Sequence, residues 1–174
     1  RVWFNAELAS RNYLVPGSIA IILTLIGSLL TALVIAREWE RGTMEALLAT
    51  PINVAELLIG KLTPYFFLGM GSMGLSSLLA VIVFDVPLRG SLIVLIAISA
   101  IFMLTSLGQG LLISTLTRNQ LVAAQISILS SFLPAFYFSN FVFELESMPM
   151  ALQWISYAVP ARYFVASLQS VFLA

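Results

Sequence analysis

REWERGTMEALLATPINVAELLIGK, from Arg37 to Lys61, decides how the rest of the chain is read. It carries seven of the sixteen charged residues (8 Lys+Arg and 8 Asp+Glu in all): Arg37, Glu38, Glu40, Arg41, Glu45, Glu56 and Lys61. Residues 12–36 before it and 62–84 after it carry none. Uncharged runs of that length suit a hydrocarbon solvent. The segment therefore reads as an element at a membrane surface, joined on each side to a helix that crosses the bilayer.

Composition agrees. Of 174 residues, 60% are apolar and 9% charged, and mean hydropathy is +1.04. Soluble domains carry roughly 25% charged residues, so there is too little polar surface here to cover a soluble globule. Net charge is zero, which removes the electrostatic case for nucleic acid. There is no cysteine and no histidine. Thiolate and His-based metal sites, Ser-His-Asp triads and His proton shuttles are excluded with them.

The expected fold is an all-α polytopic membrane bundle, one transmembrane domain over residues 1–174. Spans are expected at about 14–36, 62–84, 91–115 and 121–143, with Asp85–Gly90 and Thr117–Gln120 as short turns that make neighbouring spans antiparallel. Pro16 is expected at the start of the first span, where a missing N–H costs little. Gly17, Ala20, Thr24, Gly27 and Thr31 recur at steps of three and four, a small-residue stripe that lets another helix approach closely. Gly69, Ser72, Ser76 and Ala80 form a second such stripe. Residues 144–162 have a different texture. Ser147 and Pro149 suit a helix start, Met148, Ala151, Leu152, Ile155 and Val159 share a face, and Pro160 ends the helix. Too short to cross, the segment is an interfacial or a re-entrant helix. Arg1 at the start and the apolar stretch 163–174 read as cut ends, the latter a truncated last span. Lys and Arg divide four against four between the two faces, so charge alone gives no orientation.

Within the central stretch two short helices are expected. In the first, Met44, Leu47 and Leu48 share one face, while Glu38, Arg41 and Glu45 are spaced to pair on another. Thr50-Pro51 ends it. The second opens with Asn53 as N-cap and Glu56 at the third helical position, a capping box, and Thr63-Pro64 forms its joint into the next span.

REWERGTMEALLATPI resembles the cytoplasmic coupling segment of the ABC type-2 permease family, the membrane subunits of ATP-driven exporters. The resemblance continues in GQGLLISTLTRNQLVAAQ (108–125), in LPAFYFSN (133–140), in ESMP (146–149) and in PARYF (160–164). Where the family carries Gly after the serine of the second of these, this chain carries Asn140. The resemblance implies that residues 37–61 are a cytoplasmic amphipathic coupling segment and residues 144–162 an external cap. It implies that Arg37, Glu38, Glu40, Arg41, Gly42, Thr43 and Glu45, with Thr50-Pro51, meet an ABC ATPase subunit. It also implies a second permease chain, alike or different, packed through the small-residue stripes, and spans numbered two to five of six.

The implied function is the permease subunit of an ABC exporter in the cell inner membrane. No GxxxxGK[ST] loop occurs in the chain, so ATP and Mg belong to the partner ATPase and no cofactor is expected here. An ion-coupled carrier is the alternative. Such carriers place ionisable residues within the bilayer, and these four spans have none. An intramembrane enzyme lacks a nucleophile–base pair. Uncharged spans suit a hydrophobic or amphipathic cargo, and equally suit spans that face lipid.

Overall fold

A computed structural model describes residues 6–139 and 148–173. It is all-helical: α1 (Ala6–Glu40), α2 (Thr43–Leu48), α3 (Val54–Ile82), α4 (Leu92–Thr117), α5 (Gln120–Ser127), a π-helical segment (Ile128–Phe132), α6 (Leu133–Phe138), α7 (Met150–Ser156) and α8 (Pro160–Leu173). Four stretches are long and apolar enough to cross a membrane: Tyr13–Glu40, Val54–Ile82, Leu92–Thr117 and Gln120–Phe138. The last combines α5, the π segment and α6. Asn140, Glu144, Glu146 and Ser147, with the helix exit and cap expected there, lie outside the described residues.

The first helix is the axis of the bundle: 67% of its membrane-length window is buried, against 22–33% for the other three. It packs most extensively on α4, because small residues meet where the two helices cross. A Cβ on Gly27 would stand 2.9 Å from the Ser106 Cβ, and one on Gly110 would stand 2.3 Å from the Ser28 carbonyl oxygen. One turn on, the Ser114 hydroxyl accepts from the Ile35 and Ala36 N–H groups at 2.9 and 2.8 Å.

Three prolines depart from the expected layout. Pro16 lies inside α1 and Pro64 inside α3, so neither begins nor joins a helix. The expected short helix opening at Asn53 and the second span are therefore one 29-residue helix. Apolar surroundings explain this: leaving the helix would strand several backbone groups, whereas Pro frees only one. Ser18 donates to the Val15 carbonyl and Thr63 to the Ile59 carbonyl. Pro134 acts upstream. It has no N–H for the Ser130 carbonyl, the Leu133 N–H reaches back five residues to Ile128, and the helix widens into the π segment. Gln109 Nε2 on α4 donates to the freed Ser130 carbonyl at 3.3 Å.

The stretch expected to begin a last span belongs to α8, which starts in the middle of the bundle. Pro160 and Ala161 stand beside Thr24 and Phe102, and the Phe164 ring stacks on Phe102 with centroids 3.9 Å apart. From there α8 runs to the end opposite residues 37–61. The Gly90 N–H donates to the Val171 carbonyl at 2.8 Å, and Gln169 Nε2 donates to the Tyr13 carbonyl at 3.5 Å. Ala161, Phe164, Val165, Leu168 and Phe172 are all buried. The preceding helix, α7, differs. Leu152 and Ile155, expected to share a face with Val159, are exposed, as are Met150 and Trp154, while Val159 is buried.

Candidate functional site

The charged residues of α1 gather at one end of the bundle, where α2 is strung between α1 and α3. Gly42 makes the corner: its φ of 69° is left-handed, a conformation glycine adopts without steric cost. Thr43 then starts α2, and its hydroxyl donates to the Glu38 carboxylate. Glu38 also takes the Lys61 ammonium from α3, which makes Glu38–Lys61 the ion pair among the described residues. The expected pairing of Glu38 with Arg41 and Glu45 is not the arrangement found. Arg41 and Glu45 are both exposed, and neither makes an ion pair among the described residues. Glu38 is half-buried instead, because the last turn of α1 points it at α3.

Glu40 turns the other way, to the α4–α5 corner. Its carboxylate accepts from the Gln120 backbone N–H at 2.9 Å and from Gln120 Nε2 at 2.6 Å. Arg37 Nε donates to Gln120 Oε1 at 3.4 Å. Arg118, the left-handed C-cap of α4 with φ 53°, lays its guanidinium over Trp39, 4.3 Å from the ring centroid. Asn119 caps α5 by accepting from the Val122 N–H. The last turn of α1 is thus tied to α2, α3 and the α4–α5 corner through four consecutive residues, Arg37 to Glu40.

The α2 helix itself is six residues long and has no fully buried residue. Met44 and Leu47 are half-buried, while Leu48 is 55% exposed, so the apolar face is narrower than expected. Thr50 and Pro51 are exposed in the following turn. The capping box at Asn53 and Glu56 is present with both reciprocal bonds. A cleft of about 310 Å³ opens beside the Glu38–Lys61 pair, lined by Val34, Arg37, Gly60, Pro64 and Tyr65.

Among the packing positions, Gly17, Ala20, Thr24, Gly27 and Thr31 are all buried, facing other helices of the same chain. The second stripe is rotated. Gly69 and Ala80 are buried, but Ser72 and Ser76 are half-buried, and Met73 and Ser77 complete the buried face. Both patterns fit a helical stripe, and Met73 fills space that a small-residue pattern does not look for. Sequence reasoning missed Trp39, Gln120 and Ser114. Each acts across some 80 positions, and no local spacing signals such a contact.

Against known proteins, the family profile described as "ABC-2 type transporter" matches residues 2–173. The chain is 54% identical over all 174 residues to "Probable multidrug ABC transporter permease YbhS" of Escherichia coli K12, covering 46% of that protein. It is 31% identical over 173 residues to "Probable multidrug ABC transporter permease YbhR" of the same strain, covering 47% of it. It is 30% identical over 170 residues to "Inner membrane transport permease YhhJ", covering 43%. The chain thus spans about half the length of the relatives it matches. No solved structure matches it.

Proposed function

Because this chain belongs to the ABC-2 type transporter family, we propose that it is the core of a permease that exports drug-like compounds across the inner membrane, driven by ATP hydrolysed on a separate subunit. The single observation that carries the reading is the polar end of the bundle. Three helices converge on the last turn of α1, and α2 stands outside them as an exposed handle. Force applied to α2 reaches Glu38 through Thr43 and the connected chain, and from there α3 through Lys61. Through Trp39 and Glu40 it reaches the α4–α5 corner. In this reading α2 is the coupling helix on the cytoplasmic side. Exposed Arg41, Glu45, Thr50 and Pro51 then meet the ATPase directly, while Arg37, Glu38 and Glu40 transmit. ATP and Mg stay on the ATPase.

At the other end, α7 and α8 are read as a re-entrant hairpin. The α7–α8 turn lies at mid-depth against Thr24 and Ser131, and α8 returns to the external surface beside Gly90. The exposed apolar side of α7 suits lipid or a second permease chain. A second chain completes the transporter, and the likeness to both YbhS and YbhR, two permeases of one strain, supports a pair of unlike chains. The printed description of both relatives as probable multidrug permeases supports drug-like cargo.

The test is a cysteine at exposed Ala46 of α2 in the full permease. It should react with an impermeant maleimide in inside-out vesicles and be shielded when the ATPase is present. Substituting Glu45 by Ala should lower ATP-driven drug uptake into those vesicles together with stimulated ATP turnover, while leaving assembly intact. Ready labelling from outside intact cells, or normal coupling in the Glu45 variant, overturns the assignment of α2.

A further inference from the structure

We infer that the groove between α3 and α4 is a binding site for an uncharged, mainly apolar small molecule that carries one hydrogen-bonding group. The inference rests on the export reading only for the identity of its ligand as cargo. The groove has a volume of about 480 Å³, within the ~300–1,000 Å³ of small-molecule pockets. No charged residue lines it. Its walls include Met70, Met73, Leu95 and Ile96, and flexible thioether side chains let a wall refit ligands of different shape. Open space stands where a Cβ on Gly74 would be, so the groove is continuous along α3.

Two serines give the site its chemistry. Ser77 and Ser99 line it from opposite helices, Ser77 8% and Ser99 0% exposed. Hydroxyls in apolar helices ordinarily turn back to the carbonyl four residues earlier. On α4 itself Thr105 donates to Ile101 and Thr117 to Ile113. The Ser99 hydroxyl makes no hydrogen bond at all, and Ser77 reaches only the Met73 sulfur, at 3.9 Å. A buried hydroxyl without a partner is costly, and a ligand that brings an acceptor or donor relieves the cost. A phospholipid acyl chain brings neither. Its ester carbonyls lie near the membrane surface, whereas Ser99 sits seven residues into α4, about 10 Å below its start. The depth of the two serines therefore favours a compact ligand with a polar group in its middle.

The full permease in lipid nanodiscs, without ATP, provides the test, with benzophenone, whose single carbonyl lies between two apolar rings, as the probe. Gly74→Cys reports on the groove. Ile93→Cys, on α4 outside the groove and exposed, reports on plain partitioning into lipid. Benzophenone should slow maleimide labelling at position 74 saturably and leave position 93 unchanged. Adding Ser99→Ala should raise the benzophenone concentration needed by about five-fold, the worth of one hydrogen bond. Adding Ile96→Trp, at an exposed position, should abolish protection by filling the groove. Equal slowing at both positions, or protection indifferent to Ser99→Ala and set by lipid chain length, overturns the proposal in favour of acyl chains. The assay contains no ATP and no transport step, so it fails separately from the export reading. Protection without vesicle uptake leaves the site standing and removes only that reading; uptake without protection removes only the site.

Discussion

Glu38 and Glu45 look alike on a helical wheel but differ in what each touches. Glu38 joins α1 to α3 through Lys61 and anchors Thr43, with both members of the ion pair about one-quarter exposed. Partial burial and a geometry held by the helices place the pair near the upper end of surface salt bridges, about 1 kcal/mol. A double-mutant cycle on Glu38→Gln and Lys61→Met, followed by thermal unfolding in detergent, should return a coupling of about that size. The same unfolding assay should leave Glu45→Ala within about 0.5 kcal/mol of the parent, because an exposed carboxylate without an ion pair holds nothing in place. Stability and the proposed coupling role are thus expected to separate between residues 38 and 45. The capping box at Asn53 and Glu56 was readable because its parts stand three residues apart. The Glu38–Lys61 pair was not, since it needs the crossing of two helices 23 positions apart.

The α1–α4 crossing is where helix-level predictions are sharpest. Ser114 serves two N–H groups inside α1, and its surroundings are buried. Ser114→Ala removes the acceptor without adding volume to a buried site, and should cost about 1–3 kcal/mol. The measure is the detergent melting temperature, with Ser114→Thr as the variant expected to recover part of the loss. Gly110→Val should do more harm. Its Cβ would meet the Ser28 backbone carbonyl, which has no rotamer to escape into, so the helices must separate. Yield of monodisperse permease reports that outcome. The existence of four apolar helices was legible in the sequence because hydropathy alone reveals length and polarity. The helix boundaries at Pro16 and Pro64 were not. A proline rule calibrated in water overstates its effect where the alternative to a helix is an unpaired backbone in hydrocarbon. The π segment had a visible cause in Pro134, but its partner Gln109 came from another helix.

Across the whole bundle, α1 is enclosed by its neighbours while α3 and α4 turn much of their surface outward. The stripe Gly17–Thr31, read in sequence as a surface for another helix, finds that helix within the same chain. Nothing in its spacing distinguishes the two cases, since close approach requires small residues either way. The direction of α8 was equally illegible, because a 14-residue apolar helix has the same composition whether it enters a membrane or returns from it. Its tail is fixed at the α3–α4 turn by a backbone bond, and a Cβ on Gly90 would lie 2.6 Å from the Val171 carbonyl oxygen. Gly90→Ala should therefore loosen that end, seen as faster hydrogen exchange at Leu168–Phe172 with the spans unaffected. That tether makes α8 a lever with its fulcrum at the α3–α4 turn. From Val171 to Pro160 is about 16 Å at 1.5 Å per residue, so a swing of about 10° about Val171 would carry Pro160 by roughly 3 Å. Displacement is then smallest at the tethered end of α8 and greatest at its other tip, halfway across the bundle.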